Sequence, residues 1–247
     1  MQISFEHLGR RYRADLDKGI DLSTPYGARG RELKAWNVPD VSIEPVQGEG
    51  WVGSVKKGSP VNFYDIRFNP HGNGTHTECY GHISPARESV NAQFKQFHSL
   101  AYLLNLEPRS RGEDRVVGLD QLKARTLKWN FESLILKTGN YPPGHDFSGT
   151  NPPYLQTEVL EFIREMGIRH LLLDLPSIDR ESDGGKVLGH KAFWDFPEQP
   201  RHGCTITEMI KVPEGLREGY FLLNLQVAPF ENDAAPSRPV IYEVSQV

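Results

Sequence analysis

The stretch Gly74-Thr75-His76-Thr77-Glu78-Cys79-Tyr80-Gly81-His82 concentrates side chains that bind metal ions. On an extended strand alternate side chains share a face, so His76 and Glu78, two positions apart, aim at one point. His82 follows four residues later, beyond a glycine that permits a turn. Imidazole nitrogen combined with carboxylate oxygen suits Zn²⁺, Mn²⁺ or Fe²⁺ and is too rich in nitrogen for an ordinary Ca²⁺ or Mg²⁺ cage. The preceding Asn69-Pro70-His71-Gly72-Asn73-Gly74 is a turn-forming approach that lets backbone come close to a ligand, and it offers His71 as a further donor.

Strand-like runs outnumber helical ones. Short β-branched, aromatic and aliphatic runs bounded by Gly, Pro and Asn predict strands near residues 19–22, 61–68, 75–80, 101–106, 133–138, 170–174, 221–227 and 240–242. Their mixed order disfavours a regular doubly wound sheet. The clearest helix starts with Thr157 as N-cap, places Val159, Phe162, Ile163 and Met166 on one face and stops at Gly167. It leads directly into the buried-strand pattern Ile168 to Asp174, and a shorter helix is predicted over residues 119–125. Residues 45–53, 141–153 and 196–203 read as long loops, none of them a domain boundary.

At 247 residues with 38 % hydrophobic content, one domain spanning 1–247 is expected. A net charge of -4 supplies no basic field for a phosphate backbone, so nucleic acid is excluded as a partner class. The apolar runs are too short to span a bilayer and the amino terminus lacks an export pattern, so a cytoplasmic chain with no membrane partner is expected. The two cysteines, Cys79 and Cys204, read as free packing thiols. Trp51, Phe63, Tyr64, Trp194 and Phe196 read mainly as core, with an aromatic pocket as the alternative.

The motif segment resembles the His-x-Gly-Thr-His-x-Asp-x-x-x-His signature of the cyclase-like metal-dependent hydrolases, the family of bacterial kynurenine formamidase and isatin hydrolase. Asp21-Leu22-Ser23-Thr24-Pro25 is similar to that family's opening strand and turn, and Leu173-Asp174-Leu175-Pro176-Ser177-Ile178-Asp179 to its Asp-x-Pro-Ser-x-Asp segment. The stretch from Gly184 to His190 and Ile206-Thr207-Glu208 resemble its later ligand segments, so the likeness runs from about residue 19 to 242. It implies an α/β fold, a mixed-sheet swivelling β/β/α-type domain. It further implies His71, His76, Glu78, His190 and Glu208 as metal ligands and His82 as catalytic acid or base. One or two divalent ions, Zn²⁺ first and Mn²⁺ as the alternative, would activate water against an aryl formamide such as N-formylkynurenine or a cyclic amide. A homodimer is implied as well. Three departures stand out: Glu78 replaces the family's Asp, His71 lies one place early, and the His190 to Glu208 spacing is longer than usual.

Taken alone, His190 reads as a cap on the Lys191 to Phe196 stretch and Glu208 as a solvated carboxylate that turns inward only on a bent strand. No Gly-x-Ser-x-Gly elbow or phosphate loop is present. Two other readings remain: a Cys-His hydrolase using Cys204 or Cys79, and a non-catalytic protein in which the same ligands close around the ion.

Overall fold

Leu- and Ile-rich runs such as Ser133–Lys137 and His170–Leu173 lack polar alternation because both of their faces are covered. The computed structural model, which describes residues 1–27, 30–125 and 128–246, arranges them in a closed sheet. Seven strands form the ring: β1 (His76–Glu78), β2 (His98–Asn105), β3 (Ser133–Lys137), β4 (His170–Leu173), β5 (Thr205–Glu208), β6 (Gly219–Val227) and β7 (Ala234–Gln246). The neighbour order is β7-β6-β2-β3-β4-β5-β1, and β1 closes the ring against β7. The pairs β2–β3, β3–β4 and β4–β5 are parallel, whereas those involving β1, β6 and β7 are antiparallel. This is the mixed-sheet α/β architecture expected from the sequence.

Alternation along the strands sorts the core into two parts. Leu103, Ile135, Leu172, Leu223 and Ile241 meet inside the ring. Leu134, Leu136, Leu171, Leu173 and Ile206 point outward, against α1 (Thr157–Glu165) and α2 (Leu188–Trp194). Helix α1 buries Val159, Leu160 and Ile163, each removed from water at a gain of roughly 1.5–3 kcal/mol. Its start differs from expectation by one residue: Gln156 is the N-cap, without a side-chain cap bond, and Thr157 is already helical. Gly167, at φ +78°, ends it as expected. Arg164 of α1 holds α2 through Asp195, at 2.6 Å, and the Ala192 carbonyl.

All eight expected strand regions contain strands, although several bounds move. Residues 240–242 belong to a thirteen-residue strand, and residues 61–68 contribute only Tyr64–Arg67, paired with Ser42–Pro45 outside the ring. The Gln2–His7 and Arg10–Asp15 hairpin, absent from the expected set, adds to the far end of β7.

His170 begins β4 fully buried, its Nδ1 2.9 Å from Thr205 Oγ1 and its ring edge-on to Phe94. Burial, assisted by Arg169 and Arg201, pushes its pKa down to about 3 from the usual 6.5. The unfolded chain therefore binds a proton that the folded chain refuses between those values, and stability falls as pH drops through this window. At about 1.4 kcal/mol per pH unit, the loss in denaturant-derived stability from pH 7 to 5 should be about 2 kcal/mol larger in wild type than in His170→Asn. Equal losses would exclude this assignment.

Candidate metal centre

Strand alternation turns Thr77 inward, where its hydroxyl meets Thr207 at 2.7 Å, and leaves His76 and Glu78 on the outer, helix-side face. Register then places Glu208 opposite His76 and Ile206 opposite Glu78. His76 Nε2 lies 3.4 Å from Glu208 Oε2. Glu208 is buried rather than solvated, and the expected bend follows immediately: Met209 is left-handed at φ +52°, so Ile206 and Ile210 pack into different clusters and do not compete for its face. Gly74 precedes the strand at φ +68°, with the Tyr26 ring where a Cβ would stand.

His190 lies within α2 and does not cap a following segment. Asp179 fixes it, accepting from Gly189 N at 2.7 Å, His190 N at 3.2 Å and His190 Nδ1 at 2.6 Å. The opposite nitrogen, Nε2, stands 3.2 Å from Glu78 Oε1. Asp174, five residues earlier, is occupied elsewhere: it accepts from Thr138 N, Thr138 Oγ1 and Gly139 N.

The displaced His71 reaches the cluster because its loop folds on Asn69, whose Oδ1 accepts from His71 N and Gly72 N, both at 2.9 Å. His71 Nδ1 lies 3.1 Å from Glu78 Oε2. His82 sits on the turn after β1, its side chain 32 % exposed, with Nδ1 3.8 Å from Glu78 Oε2. Gly81 is indispensable to that turn, since a Cβ there would stand 1.9 Å from the Glu88 carbonyl oxygen. All six residues expected from the sequence are thus brought together. One was missed: Asp233, whose Oδ2 is 2.7 Å from His71 Nε2 and 3.3 Å from His82 Nδ1.

The centre opens into a cavity of about 350 Å³ walled by Trp36, Val38 and Val187, with Arg180 and Asp183 at its edge. Trp36 was not among the expected pocket aromatics. Trp51, Phe63 and Tyr64 are exposed and do not line this cavity, contrary to the core reading, whereas Trp194 is buried and Phe196 packs on the core as expected.

The donors are arranged as a cation would require. Glu208 Oε1 is buried without a partner, and His76 Nε2 and Glu78 Oε1 are buried with only ion-pair contacts, at 3.4 and 3.2 Å, that miss hydrogen-bond geometry. Orphaned polar atoms of this kind cost about 1–3 kcal/mol each. Each imidazole is anchored through its other nitrogen: His76 Nδ1 by the Gly74 carbonyl at 3.1 Å, His190 by Asp179 and His71 by Asp233. That backing is typical of metal-ligating histidines. Burial disfavours the Glu208 carboxylate and the neighbouring Glu78 charge raises its pKa further. Burial likewise opposes ionisation of Glu78, but His82, His190 and His71 outweigh it and hold its carboxyl well below the usual range. Burial would lower the His71 and His190 pKa values, yet their carboxylate partners push both up to about 10. A divalent cation held among these groups would take over the role of those protons, and the mixed nitrogen–oxygen set fits Zn²⁺ or Mn²⁺. His71, His76 and Glu78 form one group of converging ligand atoms, and Glu78, His82 and His190 another, so Glu78 is common to both.

Residues 20–180 match the family model described as "Putative cyclase". Curated relatives include a kynurenine formamidase of Bacillus mycoides, 29 % identical over 44 % of this chain and 49 % of the relative. Another, a kynurenine formamidase of Bacillus cytotoxicus, is 27 % identical over 90 % of this chain and 96 % of its own length. In the first of these matches the chain spans about half the length of the curated relative. Among solved structures, a potential metal-dependent hydrolase with cyclase activity superposes with a TM-score of 0.65 at 15 % identity, covering 91 % of this chain and 97 % of that one. An isatin hydrolase bound to thioisatinate superposes with a TM-score of 0.64 at 14 % identity, covering 92 % of each chain. At these identities the likeness establishes the fold.

Proposed function

The chain belongs to the cyclase family, and from that membership and the donor geometry we propose that it is a metal-dependent hydrolase cleaving the C–N bond of an aryl formamide or a cyclic amide. The observation that carries the reading is Glu78, buried and shared between His71 and His76 on one side and His190 on the other. His71, His76, Glu78, His190 and Glu208 would hold one or two divalent ions, Zn²⁺ first and Mn²⁺ second. When bound, the cation supplies a Lewis acid for the carbonyl and lowers the pKa of water.

The protein's own groups account for the rest of the reaction. Trp36, Val38 and Val187 give the substrate an apolar resting place, which suits an aryl ring. His82, at the cavity and partly open to solvent, carries protons between the attacking water and the departing nitrogen. N-formylkynurenine, the compound implied by the names of the curated relatives, is the first substrate to test. Among the described residues no helix is long and apolar enough to cross a membrane. A cytoplasmic homodimer of one-domain chains acting on a small molecule completes the proposal.

The test is metal dependence. Elemental analysis of the purified protein should give one or two ions per chain, a chelator should abolish turnover of a formamide and lactam panel, and Zn²⁺ or Mn²⁺ should restore it. Iodoacetamide should leave activity intact, because burial pushes the Cys79 thiol up to about 12 and raises that of Cys204 too. Activity that survives chelation and is lost on alkylation would replace this reading with the thiol one.

A further inference from the structure

We propose that Asp233 is a positioning residue that sets the proton positions of two histidines at once, making His71 a ligand through Nδ1 and His82 a base through Nε2. The inference deepens the hydrolase reading and rests on it for its kinetic consequence. An ionised carboxylate only accepts hydrogen bonds, so a ring nitrogen facing it must carry the proton. Asp233 Oδ2 faces His71 Nε2 at 2.7 Å and His82 Nδ1 at 3.3 Å. The proton of neutral His71 therefore sits on Nε2, and the Nδ1 lone pair points at the Glu78 side of the centre, 3.1 Å from Oε2. The proton of neutral His82 sits on Nδ1, which leaves Nε2 free to accept one. When His82 is protonated in turn, Asp233 steadies the imidazolium without itself taking the proton.

The position of Asp233 is built into the backbone. Its carbonyl accepts from Cys79 N at 3.0 Å, directly beside Glu78, and the next residue, Ala234, pairs with Glu78 across β7 and β1. Asn232 accepts from Val90 N at 2.7 Å and donates to the Ala234 carbonyl at 2.9 Å, while Glu231 holds Ser89 and Asn91. Held at successive residues, the loop cannot let the carboxylate drift from the two rings, which is what preorganisation demands. Asp233 also accounts for the early placement of His71: with Nε2 committed to Asp233, the ring meets the centre through its nearer nitrogen.

Two measurements on the full chain decide the matter. In the zinc-loaded, ¹⁵N-histidine-labelled wild type, long-range ¹H–¹⁵N correlation should show His71 protonated on Nε2 and His82 on Nδ1; a proton on His82 Nε2 or His71 Nδ1 alone would overturn the proposal. In kinetics, Asp233→Asn should lower kcat on the order of 10²-fold with KM changed less than about threefold. In a His82→Ala background the further loss should be smaller than in the wild type, since the share acting through His82 is already gone and only the share acting through His71 remains. A wild-type kcat in Asp233→Asn, or an additive loss in the double variant, would overturn it as well. If the wild type turned over no amide of the panel, the hydrolase reading would fail, while the tautomer measurement would still decide the role of Asp233.

Discussion

Glu78→Gln is expected to strip the protein of its metal and lower amide turnover by roughly 10⁴-fold, since a bound cation contributes several kcal/mol to the transition state and each 1.4 kcal/mol is a factor of about ten. The substitution preserves length and shape but replaces one carboxylate oxygen with an NH₂ donor and removes the charge. Glu78 Oε2 faces His71 at 3.1 Å and Oε1 faces His190 at 3.2 Å, so whichever way the amide is turned, one side of the centre loses its anionic ligand. The loss should appear as a fall in the metal-to-chain ratio together with the rate, at an unchanged far-ultraviolet circular dichroism spectrum. Metal content and turnover within tenfold of wild type would refute the bridging role.

His82→Ala is expected to separate the two losses that Glu78→Gln combines: the variant should fold and retain its metal, while kcat drops by about 10²–10⁴-fold. Its ring is 32 % exposed and lies at the cavity, with Asp233 at 3.3 Å nearer than Glu78 at 3.8 Å. Little packing is lost on truncation. An active variant would exclude the acid–base role. A variant that loses metal or unfolds would point to the closed, non-catalytic centre in which His82 is a ligand.

How much of this was legible beforehand depends on where each residue's neighbours lie in the chain. His76 and Glu78 were readable because strand geometry alone makes them neighbours, and the residues 170–174 strand because its buried run is local. The partners of Glu208 were not readable from its surroundings, since what turns it inward is the left-handed Met209 and the pairing with His76, neither of which leaves a periodic trace. His71 was named despite its irregular spacing, and the fold of the Asn69 loop absorbs the displacement. Asp233 had no local signal beyond a carboxylate set before Ala234 and Ala235; only ring closure brings it to His71 and His82. Trp36 was hidden for a similar reason, being placed at the cavity by an irregular segment, with its own φ at +65°.

The pairing of β1 with both β5 and β7 has a consequence for assembly. A ribosome delivers His76 and Glu78 roughly a hundred residues or more before either of the strands that flank them. The strand that bears the ligands thus has no ring partner until β5 and β7 exist, and contacts so distant in sequence form late and slowly. Metal capture is accordingly expected to be among the last events of maturation, with the ion acting as a clasp on the seam of the ring. A nascent or partly opened chain would present only fragments of the centre and so would hold a divalent ion poorly.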